Sequence, residues 1–447
     1  MTVKERILNA HATKTLDEAL LELSLYKDGK LVASGEGKLS VSVNGRLLID
    51  VNAETMPFNF DFSSRGTIIP EKDFFEMTAK TRDNLTFKAN RLYAKNNFRS
   101  IDEPAHALFE PAQVTFLLNA TQQPYSSFDV FIAPFEIDFY NRRSDGGITN
   151  PLFGDNVSGP WFTAETAETA VGLRENSNSW IQLRVNSKNV GAKNLEKHAL
   201  AFLNALSFQV GKYLECLAYS HTTAEGEMLT LNEHKLNSQR KFYAPLPNHE
   251  FEAAEKLLMC GMDFFLKETC SPVVTALCVC WESRKVTFLA GNLLVCSIVE
   301  GLAGYILTDA NQQYAQLRDL ALDLLRKDPK ATESIYLEAF DKCIKSVEFI
   351  KSKESIRKAG ELLKITITQT ELKAWGHLRN RLAHGNFSID VKSPATLQSE
   401  FDHAASVANI VNKFVLALFQ YEGVFCDYSV RGHPTCNFPI PLEIQKA

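Results

Sequence analysis

The sequence lacks the short signatures by which many enzymes are recognised. It contains no G-x-x-x-x-G-K-[ST] phosphate loop, no G-x-S-x-G nucleophile elbow and no H-E-x-x-H metalloprotease helix. Asp145-Gly146-Gly147 and Gly301-Leu302-Ala303-Gly304 hold too few glycines and basic residues to cradle phosphate, so nothing points to an NTPase. Among the nine cysteines there is no C-x-x-C pair, and their number is odd, which argues for free thiols in a reducing cytosol rather than a disulfide framework. Cys278 and Cys280, with Cys270 and Cys296 nearby, fit no standard zinc spacing and read as small buried hydrophobes. No excess of basic charge exists either: the net charge is -5 and the pI about 6.1, so any nucleic-acid site must be a local patch. There is no fixed-period repeat and no low-complexity tract. The first twenty residues lack the apolar core and cleavage site of a signal peptide, and a cytoplasmic location is expected.

What is present is ample material for packed cores. The 447 residues are 45% hydrophobic and include 30 Phe, and at about 150 residues per domain they predict two or three domains. One run, Val286 to Leu307, is long and apolar enough to raise the question of a membrane span. It carries Asn292 and Glu300 and has no basic or aromatic anchors distinguishing its ends, so it reads as a buried helix at the centre of a helical domain, with no membrane partner.

The fold class expected is α+β. Residues 1–140 read as a β-rich domain: from Ala19 to about Tyr140 the pattern alternates with period two and carries hairpin signals at Lys27-Asp28-Gly29 and Val43-Asn44-Gly45, as a β-sandwich or partial barrel would. Further β-like runs are Leu85 to Phe87 and Ser127 to Tyr140. Residues 141–248 form a mixed α/β region, with an apolar run at Trp180 to Val185, a helix over Leu195 to Phe208, and strands over Lys212 to Tyr219 and Glu227 to Leu231. Residues 249–447 are helical in pattern, over Glu250 to Leu266, Lys285 to Leu307, Asn311 to Leu325, Glu333 to Ser352, Ser355 to Leu363, Thr370 to His384 and Thr396 to Phe419.

The string most informative about chemistry is Glu371 to Phe387, ELKAWGHLRNRLAHGNF. At 100° per residue, Lys373, His377, Asn380 and His384 fall along one line of a helix, with Arg381 about 60° to its side. Trp375, Leu378 and Leu382 lie opposite, as an apolar stripe facing a core. Gly385 follows as a C-cap, which puts His384 at the helix end.

Arg379-Asn380-Arg381-Leu382-Ala383-His384 resembles the R-x4-H active-site motif of HEPN ribonucleases, with Asn directly after the Arg. A β-rich amino-terminal region before such a helical domain is further similar to the ApeA-like anti-phage HEPN proteins. The resemblance implies a metal-independent endoribonuclease with no cofactor, in which the ribose 2′-OH attacks the adjacent phosphate. It implies Arg379, Asn380 and His384 as catalytic residues. His384 would move protons near neutral pH, Arg379 would offer its guanidinium fork to phosphate, and Asn380 would orient the His or bind the backbone. It also implies a homodimer, because Arg379 and His384 stand about 140° apart on an ideal helix and the family lines one composite cleft with two copies of the motif. RNA, tRNA anticodon loops included, would be the substrate, and a phage-derived trigger would act at the amino-terminal region during abortive infection.

Each residue also has a plainer reading. Arg379, Asn380, Arg381 and His384 can be a solvated helix end whose basic groups meet the helix dipole. His377 is an auxiliary RNA contact or a surface histidine, and Lys373 a phosphate contact or a solvated lysine. Glu300 either positions Arg379 through an ion pair or is a structural acid satisfied in the core. The rival to an enzyme is a non-catalytic RNA-binding or protein-interaction module built on the same helical fold.

Overall fold

A computed structural model describes residues 2–53, 74–92, 94–98, 105–118, 127–135, 161–165, 169–177, 180–187, 195–223, 226–234, 241–247, 250–267, 270–308, 352–383 and 393–439. They form an α+β chain of two compact units, one comprising Met1–Leu200 with Leu214–Ser238, the other Ala201–Tyr213 with Gln239–Ala447. The sequence suggests three stretches with a boundary at 249. The structure instead joins 1–140 to most of 141–248, moves the boundary to 239, and gives residues 201–213 to the helical unit.

The first unit begins with α1 (Val3–Ala12), started by a capping box in which Thr2 and Glu5 satisfy each other's backbone N–H groups. Its strands are β1 (Asp17–Lys27), β2 (Lys30–Val41), β3 (Leu47–Ala53), β4 (Phe75–Thr81), β5 (Thr86–Leu92), β6 (Ala94–Phe98), β7 (Ala105–Phe109), β8 (Gln113–Leu118), β9 (Ser127–Ile132), β10 (Trp161–Glu165), β11 (Thr169–Ser177), β12 (Trp180–Ser187), β13 (Cys216–Thr223) and β14 (Gly226–Asn232). All fourteen belong to one sheet, in the order β10-β11-β12-β9-β13-β14-β8-β5-β4-β1-β2-β3-β7-β6. Every pairing is antiparallel.

The β1–β2 turn puts both Asp28 (φ 50°) and Gly29 (φ 71°) in the left-handed region, as a two-residue turn matched to strand twist requires. At the β2–β3 turn Gly45 has φ 78°, and a Cβ there would stand 1.5 Å from the carbonyl oxygen of His234, so only glycine fits. β3, with burial alternating along Leu47–Ala53, shows the one-sided pattern expected of a half-buried strand. Leu20, Leu25, Ile49, Phe87, Phe116, Phe131, Leu229 and Leu231 share one core with Ile7 and Leu8 of α1.

Polar anchors within this core are paired. Asp129 on β9 and Arg184 on β12 are register partners and join by two hydrogen bonds, Nε to Oδ1 at 2.6 Å and Nη2 to Oδ2 at 2.8 Å. Burial alone would raise the Asp129 carboxyl, but the Arg184 hydrogen bonds and charge outweigh it and hold it below the ordinary range. His11 of α1 is fully buried and touches His234 edge-on, ring centroids 4.6 Å apart. Its Nε2 faces the carbonyls of Leu217 and Asn232, which can only accept, so Nε2 carries the proton.

α2 (Leu195–Val210) precedes β13, and the second unit contains its later part. There follow α3 (Phe251–Phe265), α4 (Ser271–Glu282), α5 (Phe288–Ile306), α6 (Ser352–Leu362), α7 (Gln369–Ala383), α8 (Pro394–Leu418) and a hairpin of β15 (Gly423–Cys426) with β16 (Thr435–Phe438). α5 is the helix read from the apolar run. Among the described residues it alone is long and apolar enough to cross a membrane, by length and composition. It nevertheless packs against α4, α6, α7 and α8 and buries Asn292, Val295, Cys296, Val299 and Leu302. α4 and the terminal hairpin are not anticipated from periodicity. The helix expected over 311–325 and nearly all of that over 333–352 lie outside the described residues, as does His384.

Candidate active site

Three neighbours hold the motif helix α7 in place. At its start Thr368 and Glu371 form a second capping box: the Thr368 N–H donates to Glu371 Oε2 at 2.7 Å and the Glu371 N–H to Thr368 Oγ1 at 3.2 Å. The same carboxylate accepts from Asn409 Nδ2 (2.9 Å) and pairs with Lys413 Nζ (2.8 Å), both on α8. Asn409 also donates to Asp427 beyond β15 and accepts from the Tyr428 N–H. The interior charge is therefore met on every side, the condition under which a buried ion pair is tolerated.

Against α5 the contacts step in register. Trp375 Nε1 donates to the Cys296 carbonyl at 3.2 Å, and four residues later on both helices Arg379 Nε donates to Glu300 Oε1 at 2.9 Å. The Glu300 and Arg379 side chains are 30% and 40% exposed, so the pair sits at the edge of the core. Of the two readings open for Glu300, the geometry is that of an ion-pair partner to Arg379. Because the bond uses Nε, the outer edge of the guanidinium remains for an anion. Asn380 is exposed beside it, as are Lys373 and His377, while Trp375 and Leu378 are buried, so the polar and apolar faces fall where the helical projection puts them.

Arg381 turns the other way. It is only 13% exposed and bonds Glu400 on α8, which accepts from Arg381 Nη1 at 2.5 Å and from His377 Nε2 at 3.1 Å. His403, one turn further along α8, lies against His377 with ring centroids 4.4 Å apart. Burial and the neighbouring His377 push the His403 imidazole below its ordinary pKa. The two arginines of the motif are thus held by acids from two different helices, Arg379 by α5 and Arg381 by α8.

Sequence reasoning missed Glu400 and His403. The signal was a Glu-x-x-His spacing, which sets both side chains on one helical face, but its meeting with His377 depends on how α7 and α8 pack. Cys280 and Cys296 are buried thiols, Cys296 pushed up to about 12 and Cys280 raised further, in both cases chiefly by burial, as befits cysteines that pack. Cys278 and Cys270 are partly buried and free.

No protein-family model matches the chain. No curated protein matches it. Among solved structures, one of the Bacillus subtilis inhibitor of motility MotI/DgrA aligns with 40% of this chain and 91% of its own at 12% identity, with a TM-score of 0.13.

Proposed function

We propose that the protein is a metal-independent endoribonuclease of the HEPN type, cutting RNA by attack of the ribose 2′-OH on the adjacent phosphate. The observation that carries this reading is the Arg379–Glu300 pair: a half-exposed guanidinium, fixed through Nε by an acid of the central helix, beside the exposed amide of Asn380. A donor fixed before substrate arrives stabilises charge developing on phosphate without reorganising in the reaction. In this reading Arg379 binds and polarises the phosphate, Asn380 positions the strand, and His384 moves the proton. Lys373 lies on the same face as a further phosphate contact. The active species is a cytoplasmic homodimer whose paired motifs line one cleft. The β-rich unit senses a phage-derived trigger, and RNA, tRNA included, is cut in abortive infection.

The decisive experiment is incubation of total RNA with the purified protein in EDTA, wild type beside His384→Ala, with identification of the product termini. Discrete fragments ending in 2′,3′-cyclic phosphate, lost in the variant, support the nuclease. Cleavage unchanged in His384→Ala, or no cleavage by a protein that is toxic in cells, overturns it. One observation favours a non-catalytic RNA-binding or interaction module: both motif arginines already have carboxylate partners. That reading expects RNA binding to persist in His384→Ala with no cleavage by either protein.

A further inference from the structure

We propose that His377, Glu400 and His403 form a zinc site with three protein ligands, on the α7–α8 face of the helical unit. Their ligand atoms lie within 4.8 Å of one another, and they are the one set of metal-ligand side chains so placed among the described residues. Two imidazoles and a carboxylate, with a fourth position left to water, is a donor set that zinc takes. The Glu400–His403 spacing of three residues puts both ligands on one face of α8, and His377 comes from the facing turn of α7.

An independent observation points the same way. Glu400 is 4% exposed, and its Oε2 is buried with no hydrogen-bond partner among the described residues; the same is true of His403 Nδ1. An unmatched buried carboxylate oxygen and an unmatched imidazole nitrogen are each costly, and a cation bound by both removes the two penalties together. Arg381 does not block the site, because its bond is to Oε1 and leaves the other oxygen for the metal. His377 Nε2 stands 3.1 Å from Glu400 Oε1, so this ring already faces the carboxylate. The His377 side chain is 43% exposed and gives the ion a path from solvent.

The site does not depend on the nuclease reading, and its test contains no RNA. The full-length protein, stripped with chelator and then freed of it, is titrated with zinc against a chromogenic competitor and separately with cobalt(II). One equivalent per chain is expected, with the visible bands of tetrahedral cobalt. Binding should weaken at least about a hundredfold in His377→Ala and in His403→Ala, and zinc should raise the thermal midpoint of wild type but of neither variant. His377 is exposed, so its variant keeps the fold even where a change at buried Glu400 does not. Absence of stoichiometric binding, undiminished binding in both histidine variants, or a thiolate-to-cobalt charge-transfer band assigning the metal to cysteine would each overturn the proposal.

Discussion

Glu371 and Lys413 meet at 2.8 Å with no solvent exposure of either side chain, and this single pair ties the first turn of the motif helix to the carboxy-terminal part of α8. Lys413 also donates to the Thr366 carbonyl, and Glu371 takes hydrogen bonds from Thr368 and Asn409, so removing either charge strands several polar groups in the interior. Breaking one side of such a pair costs about 3–5 kcal/mol. Lys413→Met should lower the stability of the helical unit by that amount, measured as a shift of the urea midpoint at unchanged slope. A loss below about 1 kcal/mol would mean that the network is not closed as described.

Glu300→Gln should leave the fold intact while slowing RNA cleavage by about tenfold, since a charged hydrogen bond of about 1.5–3 kcal/mol is replaced by a neutral one. Arg379→Ala should remove cleavage altogether. Circular dichroism and single-turnover rates on the same preparations separate a positioning role from a structural one. Equal loss in both variants would instead make Glu300 a direct participant.

The His11–His234 contact makes the β-rich unit sensitive to acid. Burial, aided by the neighbouring His234, lowers the His11 pKa to about 4 from the ordinary 6.5, while burial also lowers that of His234. Between those values the unfolded chain binds the proton and the folded one does not, so stability rises with pH there and levels off above about 6.5. Acidification from pH 6.5 to 4 should cost on the order of 3 kcal/mol through His11 alone. His11→Gln should flatten the pH dependence of the unfolding midpoint over that window, and an unchanged slope would rule His11 out as its source.

Asp129→Asn should destabilise the same unit by about 3 kcal/mol, because the Arg184 guanidinium then keeps its burial without its charge partner. Thermal unfolding followed in the near-ultraviolet checks it. Combining the change with Arg184→Leu should recover part of the loss, the non-additivity of a contacting pair.

Local chemistry made some of this legible in the sequence and packing hid the rest. Asp28-Gly29 marks its turn unaided, because few other dipeptides tolerate two left-handed residues in succession. α1 is not anticipated from the sequence although Thr2 and Glu5 have capping-box spacing, because the helix buries few large side chains and its periodicity is weak. α4, with Pro272 in its first turn, is apolar nearly all round, and such a segment has no polar face for a period to show. That β8 pairs with β14 joins residues more than a hundred positions apart, which no local pattern records. At the motif, the polar face of α7 followed from spacing, and the candidacy of Glu300 from its being the one acid in an apolar run. The capture of Arg381 by Glu400 did not, since a carboxylate on α8 has no local tie to α7.

Arg379 and Arg381 are two residues apart and so project about 200° apart around α7, one gripped from α5 and the other from α8. Rolling the helix about its own axis in either direction pulls both grips at once. Sliding α8 along α7, in contrast, strains the Arg381 grip and spares the Arg379 one. A spectroscopic reporter on each arginine's acid would therefore tell rotation from sliding, and the helix would serve as a mechanical gauge of how α5 and α8 move past each other.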